Sequence, residues 1–185
     1  TGTLDNAQYN TAIGIGALRS LTTADSNVAV GYSAGYSIDT GNNNVILGSF
    51  AGDALTSGKE NIAIGRNALS NEDEHGRNVA IGHTALENLN ADAHAYNVAV
   101  GYAAGSQITT GTQNVIIGGL AGDALTTGAE NVVIGLEALS AEDAHGKNVA
   151  IGHQALKVQD AGADARNVAV GYQAGLDLTN GIKNV

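Results

Sequence analysis

Two short acidic stretches, Glu72-Asp73-Glu74-His75 and Glu142-Asp143-Ala144-His145, hold the residues best suited to chemistry. Carboxylates beside an imidazole could move protons or hold a cation. The second stretch repeats the first in a later copy of a long unit, and Glu74 gives way to Ala144 there. Enzymes seldom stack copies of one active site. The simpler expectation is a solvated turn that keeps an elongated protein soluble.

His83 and His153 form a second set, each directly after a glycine. Three copies around an axis could gather a metal there. Yet no His-x-His pair occurs, and His94 becomes Asp164 in the next unit. No metal site is expected. Tyr32, Tyr102 and Tyr172 occupy that same position, once in each long unit. Exposed tyrosines could stack on sugars, but tyrosine is also enriched where chains meet, and packing between chains is the preferred reading. The pairs Thr22-Thr23, Thr109-Thr110 and Thr126-Thr127 do not extend into an ice-binding array, because Asp39, Asp73, Asp143 and Asp160 interrupt the column. Gly-Ile-Gly-Ala-Leu-Arg at 14–19 lacks a third glycine and a Lys-Ser/Thr pair, so it is no nucleotide loop. No catalytic residue and no cofactor are expected.

These residues sit on a repeat. The pattern is Asn, a β-branched residue, a small apolar residue, Ile/Val/Leu, Gly, two free positions, then Ala. Copies begin at Asn10, Asn27, Asn44, Asn61, Asn78, Asn97, Asn114, Asn131, Asn148 and Asn167, and an eleventh stops at Asn184-Val185. The step is 17 except at Asn78 to Asn97 and Asn148 to Asn167, where it is 19. Residues 27–96 and 97–166 align without a gap as two long units, with 44 of 70 positions identical, and 167–185 begins a third. Repetition this strict marks a solenoid-like architecture. The chain is read as one repeat-built segment, 1–185, of something longer. Residues 1–9 are read as the end of a preceding turn.

The columns favour an all-β fold. The second position is Val or Ile in all copies but the first, which has Thr11, and β-branched residues prefer strands. The second and fourth positions share one face, and the third points the other way. Both faces are apolar, so both must be covered. The expectation places the Ala/Ile third column outside, against a neighbouring chain. The Gly column, with Gly31 and Gly101, predicts a corner with positive φ or close backbone approach. The Ala column, with Ala34 and Ala104, predicts a crowded interior. The Asn column, with Asn27 and Asn97, predicts a ladder of stacked amides. A second apolar site at Leu21, Ile38, Leu55, Leu89, Ile108, Leu125 and Leu178 anchors the return half. Each rung is thus expected to hold two short strands and two turns, making a parallel β-roll or β-solenoid of about ten rungs.

Composition removes several classes. The chain has no Cys, Met, Pro or Trp, so disulfides and thiol chemistry are excluded. A net charge of −10 argues against nucleic acid and anionic membranes as partners. No apolar run is long enough to span a membrane, and no signal peptide is visible.

Asn-Val-Ala-Val-Gly-x-x-Ala at 27–34 and Asn-Ile-Ala-Ile-Gly-x-x-Ala at 61–68 resemble the head repeats of YadA-like trimeric autotransporter adhesins. Asn10–Leu18 is similar to the Asn-Thr-Ala-Ile-Gly-x-x-Ala-Leu repeats of phage tail-fibre and endosialidase-chaperone-type fibre proteins. The resemblance covers essentially the whole chain. It implies a left-handed parallel β-roll, three chains around a common axis and the Ala face towards the partners. The adhesin-head rung is shorter, so the turns here are longer. The expected function is a structural or adhesive fibre segment, a phage tail fibre first and a bacterial surface adhesin second. Its location would be extracellular, on a virion or cell surface, and its partners itself and a surface polysaccharide or protein receptor. The alternatives are a subunit of a self-assembling filament or sheath and, third, a β-helical polysaccharide depolymerase.

Overall fold

The computed structural model describes residues 6–185. Residues 1–5, part of the stretch read as a preceding turn, lie outside the described residues. Ten short strands carry the repeat: β1 (Thr11–Ile13), β2 (Val28–Val30), β3 (Val45–Leu47), β4 (Ile62–Ile64), β5 (Val79–Ile81), β6 (Val98–Val100), β7 (Val115–Ile117), β8 (Val132–Ile134), β9 (Val149–Ile151) and β10 (Val168–Val170). They form one parallel sheet in sequence order, each strand paired in register with the next. The chain is a β-solenoid. With strands ~4.8 Å apart, the nine spacings run about 43 Å.

Each rung contains one strand, not two. The return half is a series of turns, yet it keeps hydrogen-bonding from rung to rung. Leu18 N–H donates to the Ala34 carbonyl, and Thr22 N–H donates to the Asp39 carbonyl. The return half cannot be extended, because each rung must close on itself within one repeat. Non-glycine residues enter the left-handed region repeatedly, for example Leu69 (φ 52°), Thr84 (φ 56°) and Arg77 (φ 66°). Such conformations persist only where surrounding contacts over-determine them, and here the stacked ladder does so.

The core reverses the expected facing. The third column, Ala29, Ile46, Ala63, Ala80, Ala99, Ile116, Val133 and Ala150, is fully buried inside the coil. The β-branched second and fourth columns point outward and are half-buried or exposed. The coil is too thin to hold two β-branched side chains per strand facing in, so the column with the small residues goes inside. Where the interior column carries Ile46 or Ile116, glycine replaces leucine at the ninth position. A Cβ on Gly52 would lie 2.9 Å from Leu55 Cδ1 and 3.2 Å from Ile46 Cδ1. Each isoleucine thus takes the space of a ninth-position side chain in its own rung and in the rung before, where a Cβ on Gly35 would lie 3.1 Å from Ile46 Cδ1 and one on Gly105 2.9 Å from Ile116 Cδ1.

The corner glycine is both a special conformation and a close approach. Gly65 has φ 131°, and a Cβ there would lie 2.3 Å from the Gly82 carbonyl oxygen. Stacked backbones leave no room for any side chain at that corner. Ala34 and Ala104 are fully buried beside it.

Candidate functional site

The amide ladder is continuous. At every step from Asn10 to Asn184, Asn Oδ1 accepts the backbone N–H of the next Asn at 2.9–3.2 Å. Asn27 Nδ2 also reaches across its own rung to the Gly41 carbonyl at 2.9 Å, and Asn97 Nδ2 does the same to Gly111 at 2.7 Å. These bonds tie the strand to the return half. Asn78 and Asn148 head the two longer rungs and break this pattern. Asn78 Nδ2 turns to the Gly76 carbonyl, and Asn148 Nδ2 has no partner.

The same two rungs disturb the backbone ladder, and the acidic stretches respond. In ordinary rungs the return-turn N–H groups donate to one carbonyl of the next rung, as Asp39, Thr40 and Gly41 do to Thr56. The insertion displaces that carbonyl beneath residues 74–76. Side chains accept instead. Glu72 Oε1 takes the His75 N–H at 3.0 Å, and Oε2 takes Ala91 N–H at 3.4 Å. His94 Nδ1 takes Gly76 N–H at 3.2 Å. In the second unit Glu142 accepts from His145 N–H and Ala161 N–H, at 3.1 and 3.2 Å. Asp164 Oδ1 accepts from Gly146 N–H at 3.1 Å.

The solvated-turn expectation is therefore overturned. Glu72 and Glu142 are fully buried. They stand in the apolar anchor column, where Leu55 and Leu125 stand one rung earlier. Burial raises both carboxyls above the ordinary glutamate value, and the donated N–H groups oppose the shift. Only the flanking residues, such as Glu74, face solvent. Sequence reasoning listed only apolar residues in the anchor column, set Glu72 and Glu142 in a solvated turn instead, and did not name Gln159. One signal was present: each glutamate immediately precedes a longer rung.

The two turns differ around the shared carboxylate. His75 Nδ1 is 3.9 Å from Glu72 Oε1, whereas His145 Nδ1 is 3.1 Å from Glu142 Oε1. Beneath Glu72 lies Leu89; beneath Glu142 lies buried Gln159, whose Nε2 donates to Glu142 Oε2 at 3.3 Å. Lys147 Nζ pairs with Asp164 Oδ2 at 2.5 Å and holds that carboxyl below its usual value.

Tyr32, Tyr102 and Tyr172 are exposed at 53%, 60% and 73%, spaced four rungs apart. Each has an aromatic neighbour. Tyr32 meets Phe50 edge-on, Tyr102 stacks on His83 at 5.4 Å, and Tyr172 stacks on His153 at 5.3 Å. Arg66 Nη2 lies 2.7 Å from His83 Nε2, which extends the row by one rung. The histidines thus support tyrosines in the structure. At the opposite end of the strands, Glu60, Arg77 and Tyr96 form another ladder. Arg77 Nε donates to Glu60 at 2.8 Å and Nη1 to Tyr96 Oη at 2.7 Å. The threonines cap the return ladder; Thr56 Oγ1, for instance, donates to the Asp73 carbonyl.

Between these two rows lies the outer face of the sheet. Its outward positions are Val, Ile or Leu on every strand, save Thr11. No family model, curated protein or solved structure matches the chain.

Proposed function

We propose that the chain is a structural segment of an extracellular fibre, in which three copies pack around a common axis through the outer faces of their sheets. The observation that carries this is the apolar strip, continuous from Ile13 to Val170. Short strands at ~3.3 Å per residue, over about 43 Å, give a face of order 400 Å². That is the scale of the largest apolar patch a monomer carries, and such patches are often functional. The strip is regular, built on parallel strands paired in register, and it runs between polar and aromatic ladders. An apolar centre with a polar, Tyr- and Arg-containing rim is how interfaces are built. The repeats' resemblance to trimeric fibre heads supports three copies, with the β-branched columns rather than the Ala column facing the partners.

The role is mechanical. The Asn ladder, the continuous backbone bonds and the crowded glycine corners resist bending, so the rod serves as a stiff spacer. The variable turns face outward and present the surface to receptors. Static light scattering of the purified chain tests the reading. A particle of three times 18.5 kDa is expected. A stable monomer would overturn it, and particles that lengthen with concentration would replace the closed trimer by a polymerising filament.

A further inference from the structure

We propose that the acidic turn of the first unit is an acid-labile clasp: a proton on the His94 imidazole takes away the acceptor of the Gly76 N–H and opens residues 74–77, while the matching turn of the second unit stays closed.

Gly76 is buried, and its N–H donates to His94 Nδ1 at 3.2 Å. A donated N–H needs a lone pair, so Nδ1 is bare and the ring is neutral, with its proton on Nε2. Imidazole is the side chain whose ordinary protonation falls in the mildly acidic range, and half-buried His94 is within reach of solvent protons. Once Nδ1 is protonated, two N–H groups point at each other. Turning the ring over exchanges Nδ1 for Cδ2, which restores nothing. A buried donor left without an acceptor is costly. The turn has no substitute to offer. The longer rung has displaced the carbonyl that ordinary turns use, and both Glu72 oxygens already take the N–H groups of His75 and Ala91.

The neighbouring groups do not offset the proton. One rung earlier in the same column the His75 ring stands edge-on at 6.1 Å, and one rung later the column holds Gly111. Tyr96 lies edge-on at 6.2 Å. Glu60 feels a charge on His94, but Arg77 holds it and Lys59 is beside it. In the clasped turn Asp73 takes the Glu74 N–H, and Glu74 is exposed, as is Asp92 on the turn of His94. A carboxylate that welcomed the imidazolium would still leave the Gly76 N–H without an acceptor. The second unit is a built-in control. Asp164 stands where His94 does and accepts the Gly146 N–H at 3.1 Å. Lys147 and this N–H hold its carboxyl below the ordinary aspartate value, so the acceptor persists in mild acid.

The test is amide hydrogen exchange of the full chain, read by NMR as protection factors at Gly76 and Gly146. Between about pH 7.5 and about pH 5, Gly76 should lose protection about tenfold or more, and Gly146 should keep it. His94→Asp should preserve Gly76 protection in acid, and Asp164→His should make Gly146 acid-sensitive. His75→Gln should leave the Gly76 response in place. Circular dichroism shows whether each variant folds, and the native comparison of Gly76 with Gly146 decides the matter without them. Equal protection of Gly76 at both pH values, or an equal loss at Gly146, would overturn the proposal. So would a Gly76 response that survives His94→Asp or vanishes with His75→Gln.

Discussion

Each rung has a strand side and a return side, and the two behave differently down the solenoid. On the strand side the outward residues barely change: Val, Ile or Leu from Ile13 to Val170. On the return side the anchor column admits Leu, Ile, Glu and Gln. Buried positions usually tolerate less change than exposed ones, since cores are packed to near-crystal density. Here the outward strip is the uniform region and the buried anchor is the variable one. Strand preference accounts for β-branched residues on the strip, although these side chains do not fill the interior. Under the proposed assembly, a surface outside the chain would also require an apolar face there. The return side answers to internal needs, and where a longer rung removes a backbone acceptor, a carboxylate takes its place.

Charging the strip should have the largest effect. Replacing Ile64 and Ile134 with lysine puts two ammonium groups on a face that copies would bury. Unpaired buried charges cost several kcal/mol each, so the trimer should dissociate to a monomer on light scattering. Circular dichroism should stay unchanged, since neither side chain fills the core. A particle of unaltered mass would separate the strip from assembly.

The return side should respond through stability instead. Glu72→Ala leaves the N–H groups of His75 and Ala91 without acceptors. At about 1–3 kcal/mol for each orphaned group, the loss is of order 2–6 kcal/mol. Glu142→Ala should cost more, because Gln159 Nε2 also loses its acceptor. Denaturant unfolding measures both. Equal, negligible losses would mean that the glutamates do not replace the ladder.

A smaller effect follows from pH. Unfolded glutamate titrates near 4.5, and burial places Glu72 above that. Between the two values the folded chain holds a proton that the unfolded chain has released. The Glu72 contribution is thus fullest below about pH 4.5 and declines as pH rises through the folded value. Glu60, Glu137 and Asp164 shift the other way through Arg77, Lys157 and Lys147. The readable quantity is therefore the difference between the native chain and Glu72→Gln, which should narrow in favour of the variant as pH rises. The least effect is expected from His94→Asp, which gives the first unit the acceptor of the second; unfolding free energy should change by about 0.5 kcal/mol or less.

Much of this was open to a reader of the sequence, for reasons tied to particular residues. The Asn, Gly and Ala columns recur in phase, and each type has a narrow structural use, so ladder, corner and crowded interior followed. The single-strand rung did not, because closing it needs left-handed conformations at residues such as Leu69 and Arg77 that carry no propensity for them. Facing was also hidden. Ala29 and Val30 are both apolar, and alternation separates two faces without saying which is inside; the thinness of the coil decides it. Glu72 was misread because a glutamate among Asp and His looks solvated. Its meaning lay in register with a longer rung, a relation between rungs rather than within one.

Whether copies cover the strip is decided by hydroxyl-radical footprinting of the native particle against the Ile64→Lys, Ile134→Lys variant, read at Ile62, Val79 and Ile81. If they do, these residues are protected in the native particle and labelled in the variant, while Tyr36, away from the strip, labels equally in both and the buried Leu69 labels in neither. Equal labelling of the strip in both would leave it bare and refute assembly through this face.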